Sequence, residues 1–295
     1  MKKFSLSPKK NRIWELDFLR GFAIIMVFFD HAFYDYARIF SSWKDSGVQF
    51  LEWLNSLANS YLLSDVRAEW RPAFLFVFFS VSGLCTAFSK NNFLRGLRLF
   101  CAAMILSAIT YLGEELLGVN CFILFGVIHC LGAIILIYSV YSIVIRLITD
   151  GIQKLVKKQV NSNLTEWVLC VACLLASVAC FVVNHYFNPP YIDVNLKGTL
   201  GEDTTIMTGM FFYTRNWVSA DYFPIFPYIA FFFLGAGLTK IIYPKKKTLL
   251  PKLDTEWHNV FSFAGRHSLF VYFSGQVVAL LLGVILSLIC LGRIF

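Results

Sequence analysis

Long runs almost free of charge are what most constrain this chain. A helix that crosses a bilayer needs about 20 mostly apolar residues, because the backbone must satisfy its own hydrogen bonds in lipid. Seven stretches approach or meet that length: 18–36, 72–88, 97–112, 121–145, 167–183, 222–243 and 269–291. The predicted fold class is therefore an all-α polytopic membrane protein, a bundle of about seven transmembrane helices. Composition agrees: 58% of residues are hydrophobic and only 15% charged, which excludes soluble globular, disordered and disulfide-rich secreted classes. The chain reads as a basic tail, 1–11, followed by a single domain, 12–295.

The net charge of +8 sorts by side. With the N-terminus cytoplasmic, 19 of the 26 Lys and Arg but only 6 of the 18 acidic residues fall in cytoplasmic segments. The balance is +13 inside against −5 outside. This positive-inside pattern predicts the N-terminus in and the C-terminus out. It also accounts for most of the basic surplus, so nucleic acid is not an expected partner. Membrane lipids are. The first apolar stretch holds Asp30, His31 and Asp35 and precedes no small-residue cleavage site, so it reads as an anchor and not a signal peptide.

Between the first two stretches, Val48, Phe50, Leu51, Trp53, Leu54, Leu57, Ala58, Tyr61 and Leu62 recur at helical spacing, with Glu52 and Asn55 among them. They predict an amphipathic helix at the outer interface. The outer segment 185–221 is long and polar, with Asn188-Pro189-Pro190, Asp193, Glu202, Asp203 and Arg215. Loops of that length are often functional. Cytoplasmic Pro244-Lys245-Lys246-Lys247 reads as a lipid-facing basic hinge. Cys170-x-x-Cys173 has no second pair and no nearby His, so it reads as apolar packing, and no metal is expected.

Ionisable groups inside spans are costly and mark functional positions. Arg20 and His31 are 11 residues apart. On a helix that is a rise of about 16 Å and about 20° beyond three turns, so the two share a face. Asp17 lies within about 40° of it. Asp35, four residues after His31, can orient the imidazole; Asp30 points elsewhere. His129, in the fourth stretch, falls at a depth similar to His31, which points to a shared polar site. Arg95 and Arg98, at i and i+3, can grip one phosphate. Gln276 is a buried polar group in the last stretch.

Together these residues resemble a known pattern. Leu16-Asp17-Phe18-Leu19-Arg20-Gly21, with ten residues from Arg20 to His31, is similar to the Arg-x10-His motif of the transmembrane acyltransferase superfamily. Arg95-Gly96-Leu97-Arg98 is similar to that group's cytoplasmic Arg-x-x-Arg. Further pieces are Phe79-Ser80-Val81-Ser82-Gly83, Phe125-Gly126-Val127-Ile128-His129-Cys130-Leu131-Gly132, Asp221-Tyr222-Phe223-Pro224-Ile225-Phe226-Pro227-Tyr228 and Gly265-Arg266-His267-Ser268-Leu269. Across about 12–280 the chain most resembles short bacterial members of the heparan-α-glucosaminide N-acetyltransferase catalytic-domain family. Where relatives often have His-Gln-Pro, this chain has Gly275-Gln276-Val277.

The resemblance implies an acyltransferase of the bacterial plasma membrane. Acetyl-CoA, or another acyl-CoA, would donate from the cytoplasm to an extracytoplasmic glycan or lipid-linked sugar. Arg20, Arg95 and Arg98, with Asp17, would hold the CoA phosphates. His31 would be general base or acyl relay, supported by Asp30, Asp35 and His129, and Gln276 and Asp221 would contact the acceptor. A homodimer is left open. The runner-up is a proton-coupled transporter relaying through Asp30, His31 and His129; the lack of an internal repeat counts against it. A third reading is a scaffold whose buried polar groups only join helices.

Overall fold

The computed structural model describes residues 12–118, 121–156, 160–187, 206–213 and 221–293. The basic tail with Lys2, Lys3, Lys9 and Lys10 lies outside them. So do Lys157, Lys158, Asn188, Pro189, Pro190, Asp193, Glu202, Asp203 and Arg215. The regular structure among the described residues is helical: α1 (Trp14–Arg38), α2 (Gln49–Leu62), α3 (Asp65–Leu84), α4 (Asn92–Leu117), α5 (Val127–Leu155), α6 (Ser162–Phe187), α7 (Ile206–Phe211), α8 (Tyr228–Ile242), α9 (Asn259–Arg266) and α10 (Ser268–Leu291), with short 3-10 turns between some of them.

Each of the seven apolar stretches falls on a helix. Among the described residues, five helices are long and apolar enough to cross a membrane: α3, with the short turn after it, α4, α5, α6 and α10. α1, which carries the first stretch, is 25 residues long and rich in ionisable groups. α8, which carries the sixth, has only 15 residues because Pro224 and Pro227 keep its predicted first turns non-helical.

The helix starts differ from the sequence expectation for physical reasons. α3 begins at Asp65 rather than residue 72, so Arg67 and Arg71 are helical, and Pro72 is tolerated inside it. α4 extends the third stretch at both ends. Asn91 caps its start by accepting from the Leu94 N–H at 2.9 Å, and Gly118 closes it with φ +66°. α5 begins at Val127, six residues later than the apolar run, because residues 121–126 are held in a turn. There the Glu114 carboxylate accepts the Cys121 and Phe122 N–H groups at 3.0 and 2.8 Å.

The chain divides into two compact units: Met1–Phe78 with Lys247–Phe295, and Phe79–Lys246. In the first, α1 packs against α2, α9 and α10. α1 and α9 cross at Gly21 and Gly265. A Cβ at Gly21 would overlap the Phe261 carbonyl, and one at Gly265 the Asp17 carbonyl, so the two backbones meet directly. Glu15 fastens the segment leading to α9 by accepting from Thr248 Oγ1 at 2.8 Å and the Leu249 N–H at 2.6 Å. The far end of α1 closes on a cluster of Phe40, Trp43 and Leu51, with Trp43 Nε1 donating to Ser287 Oγ of α10 at 2.8 Å.

α2 is the expected amphipathic helix, with one correction. Asn55, read as part of its polar side, is buried. Its Nδ2 donates to the Tyr36 carbonyl at 2.8 Å and the Phe40 carbonyl at 3.4 Å, groups that the end of α1 leaves without helical partners. Phe50, Trp53 and Leu57 face outward instead, a surface suited to the membrane interface.

In the second unit α4 pairs with α5, and α6 with α8. α3 and α8 cross at Gly83 and Gly235, where a Cβ on either would overlap a backbone carbonyl, Phe232 and Ser80 respectively. Ser177 Oγ donates to the Ala230 carbonyl at 2.8 Å across α6 and α8. Cys170 and Cys173 are buried free thiols on α6.

Candidate functional site

The predicted site residues separate by unit. Asp17, Arg20, Asp30, His31, Asp35 and Gln276 belong to the first, and Arg95, Arg98, His129 and Asp221 to the second.

In the first unit, the α1 face predicted from spacing is present on one unbroken helix. Asp17, near its start, is buried and takes a two-pronged ion pair from Arg12, Nε to Oδ2 at 2.8 Å and Nη2 to Oδ1 at 2.9 Å. Arg20 Nη1 donates to the Gly265 carbonyl at 3.4 Å, which sets that guanidinium at the α1–α9 crossing. Asp17 thus acts on its arginine neighbours, and a carboxylate would repel a phosphate rather than bind it.

His31 is half-buried, its ring edge-on to Tyr272 of α10 with centroids 5.8 Å apart. One turn beyond Tyr272 lies Gln276, whose buried Nε2 has no hydrogen-bond partner among the described residues. A buried amide donor is costly to leave unmatched, so this one is set for a ligand or water. Asp35 is buried one turn beyond His31. Gly275 packs against α1: a Cβ there would lie 2.7 Å from Phe28 Cδ2. In this chain the Phe28 ring fills the space a larger side chain would need.

Asp30 does point away from the His31 face, as expected, toward partners the sequence reading missed. Arg67 meets it with Nε to Oδ1 at 2.6 Å and Nη2 to Oδ2 at 3.1 Å. Arg71 Nε approaches Oδ2 at 3.3 Å, and Tyr61 donates its O–H to Oδ1 at 3.3 Å. Burial, reinforced by the Asp30 charge, pushes the Tyr61 hydroxyl up to about 12, so it stays a donor. Asp30 is an anchor in an ion network, not a base. A signal existed: an aspartate inside an apolar run needs a cation, and Arg67 and Arg71 stand at i and i+4.

His258, just before α9, is fully buried. It stacks on Trp14 at 4.3 Å, with Nδ1 on Ser262 Oγ at 2.8 Å and Nε2 on Asp254 Oδ1 at 3.1 Å. These contacts fasten α9 to the start of α1.

In the second unit, His129 is a folding element. Ser107 donates its O–H to the Ile123 carbonyl at 2.7 Å, so its oxygen accepts from His129 Nε2–H at 2.9 Å. Nδ1 then accepts the Gly126 N–H at 3.2 Å. Both ring nitrogens of the neutral imidazole are consumed in fixing the turn before α5, leaving none for a proton relay. His129→Leu should lower stability by about 1–3 kcal/mol for each partner orphaned. Thermal unfolding in detergent measures this.

Asp221 also serves the start of α5. It is buried, and its Oδ2 accepts the Val127 N–H at 3.1 Å at the positive end of α5. Arg95 reaches back to the Ser82 carbonyl with Nη1 and Nη2 at 3.4 and 3.5 Å. Arg98, one turn on, is exposed.

The family model described as "Heparan-alpha-glucosaminide N-acetyltransferase, catalytic" matches residues 12–277. The chain belongs to this family. It is therefore a member of a membrane acetyltransferase family, and its apolar helices mark it as an integral membrane protein. No curated protein and no solved structure matches it. The heparan-alpha-glucosaminide N-acetyltransferase match spans residues of both units, including all ten predicted site residues.

Proposed function

We propose that this chain transfers an acyl group, acetyl in the first instance, from cytoplasmic acyl-CoA to a hydroxyl or amine of an extracytoplasmic sugar, with His31 as the proton acceptor. The observation that carries the reading is His31 set against the Tyr272 ring, with the unmatched buried Gln276 amide one turn along α10, in a chain that belongs to an acetyltransferase family. A neutral imidazole near the outer end of α1 can take the proton of an attacking hydroxyl or amine as the thioester carbon is opened. Gln276 would orient the acceptor by donating from Nε2. Asp35, one turn on, would favour the imidazolium that forms.

Arg20 would hold donor phosphates about 16 Å along the helix axis from His31. The pantetheine arm of CoA is extended enough to bridge such a distance. Arg95 and Arg98, in the second unit, are separate candidates for a phosphate contact, and Arg98, exposed on α4, is the easier to test without disturbing the fold. His129 is left out because both its ring nitrogens already secure α5, and Asp221 because its Oδ2 holds the first N–H of that helix. The same engagement of His129 removes one member of the transporter relay.

The test is transfer of radiolabel from acetyl-CoA to membrane glycan or sugar acceptor by membranes containing the protein. Arg98→Ala should weaken acetyl-CoA binding about tenfold while leaving the rate at saturation nearly unchanged. Unchanged affinity in a direct binding assay removes Arg98 from the donor site.

A further inference from the structure

α10 turns one face toward α1 and the segment just after it, and the contacts along that face fix where Gln276 lies. Tyr272 meets the His31 ring. A Cβ at Gly275 would press on the Phe28 ring, and one at Gly283 would overlap the Phe40 ring. The Ala279 carbonyl accepts from Tyr36 Oη at 3.4 Å. Gln276 falls within the same arc: at about 100° per residue it lies roughly 40° from Tyr272 and about 20° from Gly283. Along the axis it stands between Gly275, which meets Phe28, and Ala279, which Tyr36 reaches. His31 lies between Phe28 and Tyr36 on α1. The proposed base and the amide therefore stand at one depth on two packed helices of one compact unit.

A polar side chain in an apolar span is costly unless its donors are met. Nε2 of Gln276 is buried and has no hydrogen-bond partner among the described residues. It carries two N–H donors. One can orient the acceptor, as proposed above, and a second remains. For a hydroxyl or amine to attack, the thioester carbon must lie beside the nucleophile, and the nucleophile beside His31. The carbonyl oxygen then lies one bond beyond the attacked carbon, at the same depth. As the nucleophile's lone pair forms the new bond, the C=O π pair moves onto that oxygen and the nucleophile's proton passes to His31. The pair then returns, the C–S bond breaks, and the CoA thiolate leaves with the proton of the imidazolium. A neutral amide can meet the charged oxygen without burying a second charge, and a donor already in place stabilises the charge where it develops.

We infer that Gln276 is a catalytic residue whose second Nε2 N–H polarises the donor thioester carbonyl and holds the oxyanion formed on it. This rests on the acyltransfer reading for its substrate and adds to it the group that stabilises the transition state.

Gln276→Met keeps the length of the side chain and removes the amide. Because the amide is unmatched, its loss should leave thermal unfolding in detergent unchanged or shift it upward. Two further readouts use the full chain in nanodiscs. Infrared spectra of bound acetyl-CoA, isotopically labelled at the carbonyl carbon, should place the thioester stretch at lower frequency in the unsubstituted protein than in Gln276→Met. At saturating donor and acceptor, Gln276→Met should cut kcat by about 10²- to 10³-fold, while CoA itself binds both proteins alike. A carbonyl band at the same frequency in both proteins, or a rise in acceptor KM with kcat unchanged, overturns the inference and leaves Gln276 an acceptor ligand alone. A lower unfolding temperature for Gln276→Met also overturns it, since the amide then serves the fold. If acetyl-CoA binds with the shifted band but no acceptor is labelled, the acyltransfer reading fails while the carbonyl contact stands. If acetyl-CoA does not bind, both fail.

Discussion

Replacing His31 by alanine is expected to cut acyl transfer by about 10²- to 10⁴-fold, the range typical of losing a positioned general base. Affinity for acetyl-CoA should change little, since His31 lies about 16 Å along α1 from Arg20, the nearest proposed phosphate ligand on that helix. The fold should survive as well. His31 is half-buried and meets Tyr272 edge-on, whereas the fastening contacts of α1 run through Glu15, Asp30 and the Gly21–Gly265 crossing. A fall in rate with retained CoA binding and unchanged thermal unfolding is the signature of a residue that acts on the proton. A parallel loss of all three would instead make His31 a packing residue.

The second large effect should be on stability. Asp30→Leu removes the one carboxylate that Arg67 and Arg71 both face. Taking away one partner of a buried pair and leaving the other charged typically costs about 3–5 kcal/mol. Arg67 is the buried partner here, so the double substitution Asp30→Leu with Arg67→Leu should recover much of that loss, while Arg71, partly exposed, tolerates the change. Denaturation midpoints of the two variants in detergent measure both quantities. If Asp30→Leu unfolds like the parent protein, the network does not stabilise the fold as described.

Much of the helical framework was legible because apolar runs leave the backbone few options in lipid. Boundaries were harder where charge interrupts the run without ending the helix. α3 is the plainest case: Arg67, Glu69 and Arg71 made 65–71 read as loop, yet all three are helical, with Arg67 and Arg71 meeting Asp30. α5 shows the reverse, an apolar run whose first six residues are kept out of the helix by the Glu114 and His129 hydrogen bonds.

For the candidate site, spacing along a single helix carried well, since Arg20, His31 and Asp35 do share the continuous helix α1. What spacing cannot show is how a polar side chain is already occupied. His129 and Asp221 were chosen for being polar in apolar surroundings; both ring nitrogens of His129 and Oδ2 of Asp221 are engaged at the start of α5, on Gly126, Ser107 and Val127. Asp30 was placed beside the chemistry and proves to be tied to Arg67. Phe28 and Gly275 illustrate a pairing visible only in three dimensions: a Cβ at position 275 would press on the Phe28 ring of α1.

The measurement that bears most directly on the central claim is label transfer by purified protein in sealed vesicles. Radiolabelled acetyl-CoA is supplied on the face proposed as cytoplasmic and a sugar acceptor on the other, with the unsubstituted protein and His31→Ala side by side. The account expects labelled acceptor with the unsubstituted protein and at least a hundredfold less with His31→Ala. Equal transfer by the two proteins, or none by either with any sugar, would contradict it.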